Sequence, residues 1–354
     1  MSATLTIPET QKAAIVQKDK SVAIQIVPVA KPGPSEVLVQ ITVAAQNPTD
    51  WKSIDWGRIQ PGQSPGCDFA GRVVALGEGV TAVKIGERVA GWNVSGGGAK
   101  QRSSAFREYT VVPWHHLTKI PANTSDEEAA TIPLAAATAV LGLRYLSNFP
   151  QPAPLNKWFL VWGGASSVGL YAVQLAHIQG YKVVTTASAK NHELVKSHGA
   201  DVAVDYHASD VVEQIVRATG QGGVDHAYDA ISEGNSTALA IKALKQLGAR
   251  NVAIVLPVKD TDPTADVYMV LCSGLLGYPI DAFGMYIPRD ERVYQFGLEF
   301  TKLVSEWLQE GRFKGNPHTL MSGGLNAIPG GLAFMKEGKV SGTKLVYRIA
   351  ETKA

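Results

Sequence analysis

The chemistry most visible in this 354-residue chain lies between Val161 and Ala176, VWGGASSVGLYAVQLA. An apolar strand pattern runs into Gly163, Gly164 and Gly169, and an amphipathic helix pattern follows. Glycines at such a turn let strand and helix pack closely, and the helix start offers backbone N–H groups to a pyrophosphate. The run Gly163-Gly164-Ala165-Ser166-Ser167-Val168-Gly169 is therefore the predicted phosphate loop of a dinucleotide site. Aligned on its last glycine, the usual GxGxxG triplet falls at 164, 166 and 169, and position 166 is serine. That serine puts a side chain where the phosphate approaches, and also offers it a hydroxyl donor.

The next strand separates two cofactors. A site for NAD places Asp or Glu about 20 residues past the loop, on the ribose hydroxyls. Here Gly169 plus nineteen is Ser188, in TASAKNHE, with Lys190 and Asn191 close behind. A carboxylate would repel a 2′-phosphate, whereas a hydroxyl and an ammonium hold it. Tyr206, after DVAVDY, is placed to stack on adenine or to reach the same phosphate. Together these residues favour NADPH, although a solvated helix-start lysine is the plainer account of Lys190.

The elements that must carry this site change texture along the chain. KAAIVQ, VAIQIVPV, EVLVQITVAA, FAGRVVALGEGV, GERVAGW and AFREYTVVP read as β-strands punctuated by Gly, Pro and Asp-Lys turns, with SGGGAKQRSS (95–104) as a polar loop. SDEEAATIPLAAATAVLGLRYL opens with a serine cap and acids and is predicted as one helical stretch. From Lys157, strand and helix patterns alternate through KWFLVWG, KVVTTAS, DVAVDY, VDHAYDAIS and NVAIVLP. Such alternation marks a doubly wound parallel sheet, an α/β Rossmann unit. A longer helix follows near Arg289, and KLVYRI closes the chain as a strand.

Composition narrows the function classes. With 33 Lys and Arg against 31 Asp and Glu, net charge +2, no basic patch asks for nucleic acid or an acidic membrane. MSATLTIPETQ lacks the basic and apolar regions of a secretory signal, and the most apolar stretch, 129–143, is too short for a bilayer. A cytoplasmic location is the expectation. Two cysteines, Cys67 and Cys272, exclude a disulfide framework and a zinc site built on several thiolates. His115-His116 has no third ligand at helical spacing and reads as two exposed histidines. The Gly-, Pro- and aromatic-rich strip 274–294 reads either as the wall of an apolar substrate channel, with Tyr278, Phe283, Met285 and Tyr286 lining it, or as an interface or sheet-edge cover.

Asn47-Pro48-Thr49-Asp50-Trp51-Lys52, Gly66-Cys67-Asp68-Phe69-Ala70-Gly71, the GGASSVG loop and the tail Gly338 to Val346 together resemble the medium-chain dehydrogenase/reductase superfamily over almost the whole chain. Within it the chain is similar to zinc-independent enoyl reductases, notably fungal trans-acting ones that serve polyketide synthases; quinone oxidoreductases share several pieces. The resemblance implies a GroES-like β-rich domain (1–130 plus 300–354) holding an inserted Rossmann domain (131–299), with the active site between them. It also implies cofactor contacts from Thr49, Lys52, Val255, Leu256, Val340 and Ser341, and a catalytic role for Lys52 with Thr49 beside it, where the plainer account is a surface lysine after the Pro48 turn; Trp51 stands either in the pocket wall or, more simply, in packing. Zinc-dependent members carry a cysteine ligand near Asn47–Asp50 and a His-Glu pair where this chain has Cys67-Asp68. One thiol and one carboxylate do not make a three-ligand open site, so no metal is expected.

Without a Lewis acid, an α,β-unsaturated carbonyl is easier to reduce than a ketone, because hydride on the β-carbon spreads charge into an enolate that modest donors hold. The expected function is NADPH-dependent reduction of an enone or enoyl thioester, free or carrier-tethered. A quinone reductase and a catalytically silent NADPH-binding accessory protein of a synthase are the alternatives, and both monomer and homodimer fit.

Overall fold

The structure is a computed structural model that describes residues 6–94, 102–220, 222–245, 250–259, 262–282 and 284–353. Its first elements are β1 (Thr10–Val16), β2 (Val22–Pro28), β3 (Glu36–Ala45), α1 (Pro48–Asp55), β4 (Asp68–Leu76), β5 (Arg88–Trp92), β6 (Tyr109–Pro113) and β7 (Thr118–Lys119). Then come α2 (Asp126–Ala130), α3 (Pro133–Ser147), β8 (Trp158–Trp162), α4 (Ser167–Gln179), β9 (Lys182–Thr186), α5 (His192–Lys196), β10 (Val202–Val204), α6 (Val211–Thr219), β11 (His226–Asp229), α7 (Ser236–Lys242), β12 (Asn251–Ile254) and β13 (Asp266–Met269). The last are β14 (Ile280–Ala282), β15 (Met285–Ile287), α8 (Glu291–Glu310), β16 (His318–Leu320), α9 (Ile328–Lys336) and β17 (Lys344–Arg348).

Two compact units result: residues 1–134 with 292–354, and residues 135–291. Almost all of α8 therefore belongs to the first unit, whereas a break at 300 would cut that helix in two. In the first unit β16, β17, β3, β4, β5 and β7 lie side by side, and β6 also pairs with β3. The chain's end returns to its beginning here: β17 runs antiparallel to β3, with Val346 opposite Ala45. Phe69, Phe106 and Tyr347 centre the apolar core of this unit.

In the second unit six strands lie in the order β10-β9-β8-β11-β12-β13, every pair parallel. All five residues of β8 are buried, as expected of a central strand covered on both faces. The sheet is the doubly wound one expected, with a sixth strand, β13, that the sequence pattern does not show. DVYM is short and only partly buried, so it lacks the apolar run that marks its neighbours.

Two local expectations are corrected. The stretch from Ser125 to Leu146 is two helices, because Pro133 lacks the N–H a continuous helix needs and instead starts α3. His116 is buried and His115 half-buried, both edge-on to Tyr294 of α8 in the first unit. Part of the polar loop 95–104 lies outside the described residues. Among the described residues no helix is long and apolar enough to cross a membrane.

Candidate functional site

In the second unit, β8 delivers the chain into the glycine loop and α4 leads it away. Gly163 has φ +78°, a left-handed conformation that favours glycine. A Cβ on Gly164 would strike Thr185, and one on Gly169 would strike the backbone of Gly163 and Gly164. The loop is latched to the next strand: the Gly163 N–H donates to Thr186 Oγ1 at 2.9 Å, and the Gly164 N–H to the Thr186 carbonyl at 2.9 Å. Ser166 caps α4, its Oγ accepting from the Gly169 N–H at 3.0 Å. A serine in place of the middle glycine thus serves the helix start. Ala165, Ser166, Ser167 and Val168 are half-buried at that start.

The end of β9 gathers the other predicted nucleotide residues. Asn191 Nδ2 donates to Ser188 Oγ at 3.1 Å, and Lys190 is exposed between them. Tyr206 is also exposed, its ring 4.0 Å from that of His207. The structure adds Asp205, whose carboxylate accepts from the backbone and ring nitrogens of His207 and from the Ala189 N–H, which hold it below the usual carboxylate range. An acid therefore does stand near the strand end, although it comes from the β10 side and is already engaged.

Sequence reasoning missed Asp229, at the end of β11. Completely buried, it accepts from the N–H groups of Ile231 and Ser232 and from the hydroxyls of Ser236 and Thr237 at 2.6 to 3.0 Å. Ser232 Oγ in turn accepts from the Val255 N–H at 2.9 Å, which ties the loops after β11 and β12 together one residue before Leu256. Ile231 is the side chain that a Cβ on Gly163 would meet. The available signal was an acid ending a buried parallel strand and followed by Ser and Thr.

In the first unit α1 carries Thr49, Trp51 and Lys52, all half-buried. Thr49 Oγ1 lies 3.3 Å from Ser53 Oγ, and Lys52 Nζ stands 5.6 Å from the centre of the Trp51 ring. Beneath the helix start is a buried polar cluster. Lys344 Nζ donates to Asp68 Oδ2 at 2.6 Å, to Asn47 Oδ1 at 2.8 Å and to the Thr131 carbonyl at 3.2 Å. Asp68 also accepts from Asn47 Nδ2 at 2.9 Å and from the Leu134 N–H at 2.8 Å. Asp50 accepts from the Asn47 N–H at 2.8 Å and from the Cys67 thiol; burial lifts its pKa to about 7, with the Asp68 charge adding to the rise. Val340 packs on the core of this unit and Ser341 is exposed.

The aromatic strip takes a defined shape: β14 and β15 form an antiparallel hairpin, with Tyr278 and Tyr286 exposed. Phe283 lies outside the described residues, as does the side chain of Met285.

Residues 33–122 match the model of the alcohol dehydrogenase GroES-like domain, and residues 167–272 that of the zinc-binding dehydrogenase domain. A zinc-type alcohol dehydrogenase-like protein of Schizosaccharomyces pombe is 36% identical over 352 residues, covering 96% of this chain and 99% of that one. A trans-enoyl reductase of Alternaria alternata is 32% identical over 348 residues, covering 96% and 99%. Among solved structures, an alcohol dehydrogenase superfamily protein from Novosphingobium aromaticivorans shares the fold with TM-score 0.80 at 23% identity, covering 96% and 99%. The glycine loop on a six-stranded parallel sheet, the β-rich unit around it in sequence and these full-length likenesses agree: the chain belongs to the medium-chain dehydrogenase/reductase superfamily.

Proposed function

We propose that this chain transfers hydride from NADPH to the β-carbon of an α,β-unsaturated carbonyl, in an enone or an enoyl thioester, without a zinc ion, and that the α-carbon of the resulting enolate then takes a proton from solvent or a nearby side chain. Its kinship with trans-enoyl reductases makes it an oxidoreductase of carbon–carbon double bonds. The observation that carries the finer reading is the strand end where Ser188, Lys190 and Asn191 follow a phosphate loop whose backbone is latched to Thr186. The residues fit the dinucleotide: the α4 start receives the pyrophosphate, Ser166 adds a hydroxyl, and Ser188 with Lys190 takes the 2′-phosphate.

They do not fit zinc. Where zinc-dependent relatives need metal ligands, the Lys344 ammonium already sits against Asp68 and Asn47, and Asp50 and Cys67 bond to each other. A divalent ion beside that ammonium would meet like charge in a buried site.

When bound, NADPH supplies the hydride. The chain's part is to hold the substrate oxygen while charge develops on it, the task given to Lys52 with Thr49 beside it. Trp51 and the half-buried stem of Lys52 give that corner an apolar wall. The reading carries with it a cytoplasmic location and a substrate free or tethered to a carrier.

Oxidation of NADPH followed by absorbance, with an enone, an enoyl thioester, a quinone and an aldehyde in turn, tests the proposal. Turnover is expected with the first two. Lys52→Ala is expected to lower kcat about tenfold or more while NADPH still binds, as loss of one transition-state donor does. Preference for the quinone, or tight NADPH binding with no turnover on any acceptor, replaces this reading with a quinone reductase or a silent accessory protein.

A further inference from the structure

Lys344 is a charged residue where the sequence pattern asks for an apolar one. It begins β17, its side chain is 1% exposed, and the three residues that follow it are all buried. An ammonium has three protons, and each finds one oxygen: Asp68 on β4, Asn47 before α1, and the Thr131 carbonyl freed where α2 gives way to α3. Those partners lie 276, 297 and 213 residues away in sequence. So complete a set is costly to assemble, because a buried cation must be matched in both charge and hydrogen bonds.

The consequence falls on α1. The Asn47 side chain is held from both ends, its carbonyl oxygen by Lys344 and its NH₂ by Asp68. Its backbone N–H is held by the Asp50 carboxylate within the helix. The residue that sets the entry of α1 therefore has no freedom to turn, and Thr49 and Lys52 follow within the next turn and a half. Asp68 spans the same ground from the other side, since it also accepts from the Leu134 N–H at the start of α3. We propose that Lys344 is a positioning residue, which fixes the start of α1 through Asn47 and Asp68 and so aims Thr49 and Lys52 at the substrate oxygen. This rests on the role given to Lys52 above.

The test uses the full chain. Lys344→Met keeps the unbranched side chain to within one atom of its length and removes its charge. Amide hydrogen exchange is expected to rise about tenfold or more across 48–56, while 158–204 keeps its protection. With an enone and NADPH, kcat is expected to fall about tenfold with the NADPH Kd unchanged. Lys344→Ala, lacking three methylenes and the ammonium, is expected to regain protection across 48–56 with propylammonium chloride and not with 1-propanol. Should Lys344→Met fail to fold, the double variant Lys344→Met with Asp68→Asn removes both charges and is expected to show the same rise in exchange. Wild-type exchange across 48–56 in a folded variant overturns the proposal, as does equal rescue by propanol. If the wild-type chain turns over no acceptor, the functional reading fails, and exchange alone still decides whether Lys344 holds the helix.

Discussion

Asp68 and Asp229 are both completely buried carboxylates, one in each unit, and they are satisfied in opposite ways. Asp68 faces an ammonium, with two N–H donors completing its shell. Asp229 is held by two backbone N–H groups and two hydroxyls, with no cation among its hydrogen-bond donors in the described residues. The first arrangement concentrates its stabilisation in one partner nearly three hundred residues away. The second spreads it over neighbours within eight residues of chain. A charge pair fixes one geometry sharply and fails sharply, whereas a shell of dipoles loses one member at a time. Under the proposed function that difference suits the two places: α1 would be held at one angle, while the loops after β11 and β12 would keep their shape around the dinucleotide.

The largest effect expected from this contrast is on stability. Lys344→Met leaves Asp68 as a lone buried charge and should cost about 3–5 kcal/mol in urea denaturation. Adding Asp68→Asn should recover more than half of that loss. Asp229→Asn keeps one acceptor oxygen and should cost only about 1–3 kcal/mol. Equal losses at the two sites, or strict additivity in the Lys344/Asp68 cycle, would break the distinction between a paired charge and a dipole-held one.

A smaller effect concerns pH. Asp50 is lifted to about 7 by burial first, against the Asn47 N–H, the Cys67 thiol and Lys344, while Asp68 adds to the rise. Tyr347 faces the same carboxylate and is itself pushed up by burial and by Asp50. Unfolded, Asp50 releases its proton near 3.8, whereas the folded chain retains it until about 7. The stability this proton contributes is thus complete below about 4 and is lost as pH rises through about 7. Wild-type chain should lose on the order of 2 kcal/mol between pH 5 and pH 8, and Asp50→Asn should flatten that slope. A slope unchanged in the variant would assign the pH dependence to another group.

How much of this was legible beforehand follows from the range of the interactions. The glycine loop, the strand–helix alternation and Ser188 with Lys190 are local patterns, in which spacing alone implies geometry. The Lys344 cluster is not local. Asn47, Asp68 and Lys344 stand out only as pieces of a family pattern, and nothing in their spacing says that they touch. His116 misleads for the same reason, since its cover, Tyr294, is far along the chain. Pro133 was a readable signal: an Ala-rich run made one helix look natural, yet the break it forces frees the Thr131 carbonyl for Lys344. β13 was unreadable because an edge strand needs little apolar character.

The smallest expected effect bears on the nucleotide, where the comparison of charges recurs at the surface. Lys190 is exposed, so its attraction for a 2′-phosphate is screened by water and salt and is worth about 1 kcal/mol, not the several that a buried pair commands. Lys190→Ala should therefore lower the preference for NADPH over NADH by about three- to tenfold, with the larger figure at low ionic strength. Asp205 acts in the opposite sense. Its charge is partly taken up by His207 and the Ala189 N–H, so Asp205→Asn should raise the preference by less than Lys190→Ala lowers it. Titration of both dinucleotides at two salt concentrations reads the two effects together. A preference for NADH in the wild-type chain, abolished by Asp205→Asn, would reassign that carboxylate to the ribose hydroxyls and reverse the choice of cofactor.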